Sequence, residues 1–135
     1  MRSEKELQLE LAQNLHSDKN ASKIILEASF KHKKIDVVII DTLISSIEVK
    51  LKNWRDVLKQ ASENLLFSDI SYIAMPERVL KKEIIENAKN LNVGVISINS
   101  GSYKVKFKPI DNPYKSQFYS DLFHMYLDKG DFIEI

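Results

Sequence analysis

Glu48 and Lys50 stand two residues apart in a run of β-branched and apolar residues, Leu43–Leu51. In an extended chain that spacing sends both side chains to one face, with Ile47, Val49 and Leu51 on the other. A carboxylate and an ammonium therefore leave a hydrophobic strand side by side. Asp36 opens the apolar part of the preceding run, Lys34–Asp41, and strict alternation groups it with Val38 and Ile40 against Ile35, Val37 and Ile39. If the two runs pair as a hairpin, Asp36 lies near Glu48 across the ladder, and two carboxylates and one lysine reach a common point.

Such a group suits a hard divalent cation. Asp36 and Glu48 supply the oxygen ligands that Mg²⁺ or Mn²⁺ prefers, the backbone carbonyl of Val49 is a further one, and substrate phosphate and water complete the shell. A cation held there lowers the pKa of a bound water and stabilises charge building on a phosphoryl group. Lys50 is placed to orient or help deprotonate that water, or to hold the phosphate as a point charge. The competing reading is an ion pair on a solvated strand face, which is ordinary for opposite charges on a strand.

Composition narrows the chemistry. The chain has no cysteine, which excludes disulfides, thiolate zinc sites and thiolate-held iron–sulfur clusters. Any metal must rest on oxygen ligands or on His16, His32 and His124, whose spacing matches no transition-metal site. No histidine is assigned a catalytic role. The 135 residues fit one domain spanning the whole chain, and 44% hydrophobic with 29% charged residues is the profile of a globular protein. Met1 is followed by a charged stretch, and no apolar run approaches a membrane span, so a cytoplasmic protein without membrane contact is expected. A net charge of +1 gives no global basic field. Two local clusters, His32, Lys33 and Lys34, then Lys52, Arg55 and Lys59 following Lys50, are the expected nucleic-acid contacts.

The elements that must position these residues follow from periodicity. Ser3 and Glu6 form a capping box, and Leu7, Leu11 and Leu15 recur at helical spacing, predicting a helix from about Ser3 to His16. Lys23–Phe30, Lys34–Asp41 and Leu43–Leu51 read as three strands of an antiparallel meander. Asn53 is placed to cap a helix with Trp54, Val57, Leu58, Ala61 and Leu65 on one face, ending near Phe67. A strand at Ser71–Met75 stops at Pro76, Glu77–Leu91 is helical with Leu80, Ile84, Ile85 and Ala88 inward, and Val93–Ile98 is a strand. That order implies parallel crossovers and a mixed sheet. Asn99–Ser102 is a turn, and Tyr103–Lys108 a hairpin partner or edge strand. Pro113–Leu127 is a terminal amphipathic helix.

The runs "IDVVIID", "SIEVKL" and "NWRDVLKQASENLLFSDISYIAMP" resemble the PD-(D/E)XK nuclease superfamily, most strongly from Ile35 to Pro76. The resemblance implies a restriction-endonuclease-like α/β fold, an αβββαβ core with a mixed central sheet flanked by helices. It matches Asp36, Glu48, Lys50 and Gln60 to the family's strand acid, its E-x-K triplet and the glutamine of the following helix. It further implies a glutamate on the first helix: Glu4 is the choice on helical spacing, Glu6 being used by the capping box, and Glu10 is the fallback. The proline that names the motif is missing before Asp36, which follows Lys34 and Ile35. The implied activity is Mg²⁺- or Mn²⁺-dependent hydrolysis of phosphodiesters, chiefly in DNA, by a protein expected to form a homodimer through its aromatic end, Tyr114 to Tyr126. The alternative is a module of the same fold that binds nucleic acid or a protein without cutting.

Overall fold

A computed structural model describes residues 3–18 and 23–129, with the backbone of 133–134. The capping box is formed: the Ser3 N–H and hydroxyl donate to Glu6 Oε1 at 3.3 and 3.1 Å, and the Glu6 N–H donates to Ser3 Oγ at 3.1 Å. From it runs α1 (Glu4–Asp18), ending two residues beyond the predicted His16 and burying Leu7, Gln8, Leu11, Ala12 and Leu15.

The three expected strands are β1 (Lys23–Phe30), β2 (Lys33–Ile40) and β3 (Ile44–Val49), an antiparallel meander. Lys31 and His32 join β1 to β2 with φ of 54° and 62°. Left-handed conformation at both central residues is what a two-residue hairpin needs to match strand twist. After β3 come α2 (Trp54–Asn64), β4 (Ile70–Pro76), α3 (Lys82–Asn90), β5 (Gly94–Asn99), β6 (Ser102–Phe107), α4 (Gln117–Lys129) and the short β7 (Ile133–Glu134). β3, β4 and β5 pair in parallel through the two helical crossovers, and β6 returns antiparallel at the edge. The sheet order is β6-β5-β4-β3-β2-β1-β7. This is the expected α/β class, with an αβββαβ order and a mixed sheet flanked by helices.

Each face of the sheet has its own core. On one, α1 packs Leu7, Leu11 and Leu15 over Val37, Ile39, Ile47, Val49 and Tyr72. On the other, α2 and α3 bring Val57, Ala61, Ile84 and Ala88 onto Ile73 and Met75, while α4 brings Phe123 and Leu127 onto Ile25, Ile35 and Val38. Among the described residues, no helix is long and apolar enough to cross a membrane.

Four expectations are corrected. Strict alternation in β2 fails at Asp36: Ile35 packs with Val38, on the face opposite Val37. The cause lies across the ladder, where Glu27 takes a φ of 55° and the register passes from Leu26↔Val37 to Ala28↔Ile35, bracketing Glu27 and Asp36. Asn53 is left-handed and makes no side-chain cap; its backbone carbonyl accepts the N–H groups of Asp56 and Val57. Glu77–Leu91 is broken, a 3-10 turn at Glu77–Val79 and then α3, because Leu80 takes an extended conformation and packs into the core beneath α3. Finally, α4 starts at Gln117 rather than Pro113. The Asn112 amide donates to the carbonyls of Leu65 and Ser68 at 2.7 Å each, and its oxygen accepts the Tyr114 N–H, so side-chain bonds hold the preceding segment in a non-helical path.

Candidate metal centre

Asp36 and Glu48 meet where β2 diverges from β3. The last ladder pair toward that end is Val37↔Ile47. Beyond it, Asp36 Oδ2 accepts the Val49 N–H at 2.8 Å, so the acid replaces a strand partner. From α1, Gln8 donates to the Asp36 carbonyl at 3.0 Å and pins its backbone. Glu48 is 1% exposed and points toward α2, where the Asn64 amide donates to its Oε2 at 2.7 Å. The other end of that amide, Asn64 Oδ1, is a buried acceptor with no partner among the described residues.

The electrostatics follow from burial. The two carboxyls hydrogen-bond each other, and both hold protons more tightly than ordinary carboxyls. Desolvation is the main cause for Asp36, opposed by the Val49 N–H and the Lys50 charge. Desolvation, then the adjacent Asp36, pushes Glu48 up to about 7. Two acids in one dry site keep a proton between them because both cannot ionise cheaply.

Three cations surround the pair at different distances. Lys50 is half-buried, its Nζ 3.8 Å from Asp56 Oδ2, and its charge acts on Asp36. Lys33 reaches in from the hairpin turn: its Nζ donates to the Gln60 carbonyl at 2.9 Å and lies 3.7 Å from Glu63. Burial lowers the Lys33 pKa, against the pull of Glu48, Glu63 and Asp36. Lys34 instead pairs with Glu27 at 3.2 Å, which also holds Lys5 at 2.9 Å.

The other sequence candidates fall into place around this centre or away from it. Glu4 Oε2 accepts the Leu51 N–H at 3.1 Å, which ties the start of α1 to the exit of β3. Glu10 accepts the Gly101 N–H at 2.7 Å, at the β5–β6 turn, and Glu6 serves the cap. Gln60 donates to Asp56 Oδ2 at 3.4 Å, so Asp56 links it to Lys50. Arg55 lies over the Trp54 ring at 4.3 Å and within 4.0 Å of Glu83, on the outer side of α2. Lys52 and Lys59 are exposed, as is His32 at the hairpin tip.

Sequence reasoning missed Gln8, Asp56 and Asn64. A signal existed for two of them. Asn64 continues the Val57, Ala61 stripe of α2, and Gln8 lies on the Leu11, Ala12, Leu15 stripe of α1. A polar residue on an apolar stripe needs a buried partner.

Among the described residues, no three Asp, Glu or His side chains converge as a complete metal cage. The donor set still fits a hard cation in kind. Two carboxyls that share a proton can share a cation instead, and substrate oxygens and water commonly supply the remaining ligands of Mg²⁺.

No protein-family model matches the chain, and no curated protein matches it. Among solved structures it is similar to a protein of unknown function from Silicibacter pomeroyi, with a TM-score of 0.64 and 11% identity over 92% of this chain and 83% of that one. At that identity the likeness shows the fold alone, an α/β domain with a mixed sheet flanked by helices.

Proposed function

We propose that this protein is a divalent-metal-dependent nuclease that hydrolyses phosphodiester bonds, chiefly in DNA. One observation carries the reading: Asp36 and Glu48 are held in hydrogen-bond contact at the divergence of two strands, with the Lys50 charge acting on Asp36. The resemblance of the Asp36, Glu48, Lys50 and Gln60 spacing to the PD-(D/E)XK pattern supports it. A Mg²⁺ or Mn²⁺ bound by these carboxylates, with the Val49 carbonyl as a further oxygen, would supply an activated water and charge stabilisation.

The chain's own residues do the rest. The Val49 N–H and Gln8 fix Asp36, and Asn64 fixes Glu48, so neither acid has to reorganise when a ligand arrives. Lys50, tethered by Asp56, is placed to hold the water or the scissile phosphate. Gln60 steadies Asp56, and Glu4 fixes the chain after Lys50. Lys33 presents a second cation toward the same acids.

The test is incubation of labelled single-stranded, duplex and branched DNA, and of RNA, with the protein in Mg²⁺, Mn²⁺ or EDTA. Metal-dependent cutting is expected, reduced at least about a hundredfold in Glu48→Ala and Lys50→Ala. A folded protein that binds neither cation and cuts none of these substrates sinks the reading. One observation favours the second reading, a non-cutting module: Glu48 is almost wholly buried and already engaged by Asn64 and Asp36. Nucleic-acid binding without cation binding would decide for it.

A further inference from the structure

A groove of about 690 Å³ opens between the β1–β2 hairpin, the end of α2 and the segment before α4. Leu66 and Phe67 line it, Leu91 and Tyr114 stand 44% and 59% exposed along it, and Lys31 and Lys33 supply its cations. Its size lies within the roughly 300–1,000 Å³ of small-ligand sites. The combination of an apolar wall, an accessible aromatic face and two cations at the hairpin matches the two halves of a nucleotide. A base stacks on an aromatic face in a sequence-tolerant way, and its phosphate takes the cations. An apolar peptide would fill such a wall without use for the lysines.

Lys33 ties the groove to the carboxylates. It lines the groove and donates to the Gln60 carbonyl at 2.9 Å, and the Gln60 side chain bonds the same Asp56 that pairs with Lys50. A strand whose scissile phosphate lay at the acids would therefore send a neighbouring nucleotide past Lys33 toward Tyr114. A base can enter only if it has left the helix stack.

We infer that this groove is a subsite for an unpaired nucleotide next to the cleavage position, which makes single-stranded or branched nucleic acid the substrate class. The position of the scissile bond rests on the nuclease reading above; the groove's preference for an unpaired base does not. Glu63, paired with Lys33 on the groove wall, is exchanged for the incoming phosphate as that lysine's partner.

The experiment measures binding and cutting separately on the full chain. In EDTA at about 0.1 M salt, fluorescence anisotropy follows a labelled single strand of about a dozen nucleotides and the matching duplex. Wild type, Tyr114→Ala and Tyr114→Phe are compared, and Mg²⁺ cleavage is assayed on parallel EDTA-free samples of the same proteins and of Glu48→Ala. The wild type is expected to bind the single strand more tightly than the duplex. Tyr114→Ala should weaken single-strand binding roughly 5- to 150-fold, with Tyr114→Phe near wild type and duplex binding unchanged. Exposure of Tyr114 makes equal urea midpoints the expected folding control.

Single-strand binding indifferent to Tyr114→Ala, a preference for duplex, or no binding to either overturns the groove assignment. If cutting that Glu48→Ala abolishes accompanies such a result, the nuclease reading stands and only the subsite falls. If no cutting is seen while binding depends on Tyr114, the subsite stands and the nuclease reading falls.

Discussion

At the scale of single residues, Glu48 makes the stability of the fold depend on pH. Its folded pKa, about 7, lies above the ordinary 4.5. Between those values the folded state keeps a proton that the unfolded chain has lost, so stability falls as pH rises through that window. The contribution is full below about pH 4.5 and gone above about 7, with a range of roughly 3 kcal/mol as the upper order of magnitude. Asp36, raised by the same burial, acts in the same direction. Urea unfolding in EDTA is expected to show lower stability at pH 8 than at pH 5, and Glu48→Gln should flatten that difference. A wild-type slope of the opposite sign would remove the buried, proton-sharing pair from the account. Under the nuclease reading, Mg²⁺ restores stability at pH 8 and does little at pH 5, where protons hold the same oxygens.

Elements carry the site only if they can approach closely, and Gly94 at the start of β5 shows how closely. A Cβ there would stand 2.3 Å from Tyr72 Cδ1 and 3.1 Å from the Phe107 carbonyl oxygen. Tyr72 sits on β4 directly opposite Gly94 and belongs to the α1-side core. Gly94→Ala is therefore expected to cost about 1–3 kcal/mol by forcing the ring aside, read as a lower urea midpoint with unchanged slope. Unchanged stability would mean that the ring has room the structure does not show.

Much of the element order was legible because each stretch had one period. The meander, both crossovers and the edge strand each followed from period two or from helical spacing. What escaped has a common physical origin in local conformations that tertiary contacts impose. Glu27 sits in mid-strand with a left-handed φ, and nothing in "LEAS" announces it. Leu80 breaks a helical pattern because the core draws its side chain inward. The acids themselves were found by type and spacing, while Asn64 and Asp56, which hold them and Lys50, needed three-dimensional neighbours to acquire a role.

For the whole molecule, the outer side of α4 raises the question of assembly. Phe118, Leu122 and Met125 are 66%, 38% and 52% exposed, although Phe123 and Leu127 on the other side are buried. The helix thus covers the sheet and still presents an apolar stripe. The homodimer expected at the aromatic end would bury that stripe. Sedimentation velocity is expected to find a dimer that Phe118→Lys converts to monomer without loss of fold. A wild-type monomer at concentrations of about 100 μM, well above the affinity of ordinary specific interfaces, would dismiss it.

Asn112 has a reach beyond its own loop. Its amide grips the carbonyls that close α2, and a few residues later the Ser116 N–H donates to the Leu66 carbonyl at 2.8 Å. The end of α2, the groove wall and the start of α4 are thereby joined by hydrogen bonds. The last helix in the chain is then more than a lid on the sheet. Asn64, whose amide holds Glu48, directly precedes Leu65, so the bonds from Asn112 and Ser116 brace the end of α2 that carries it.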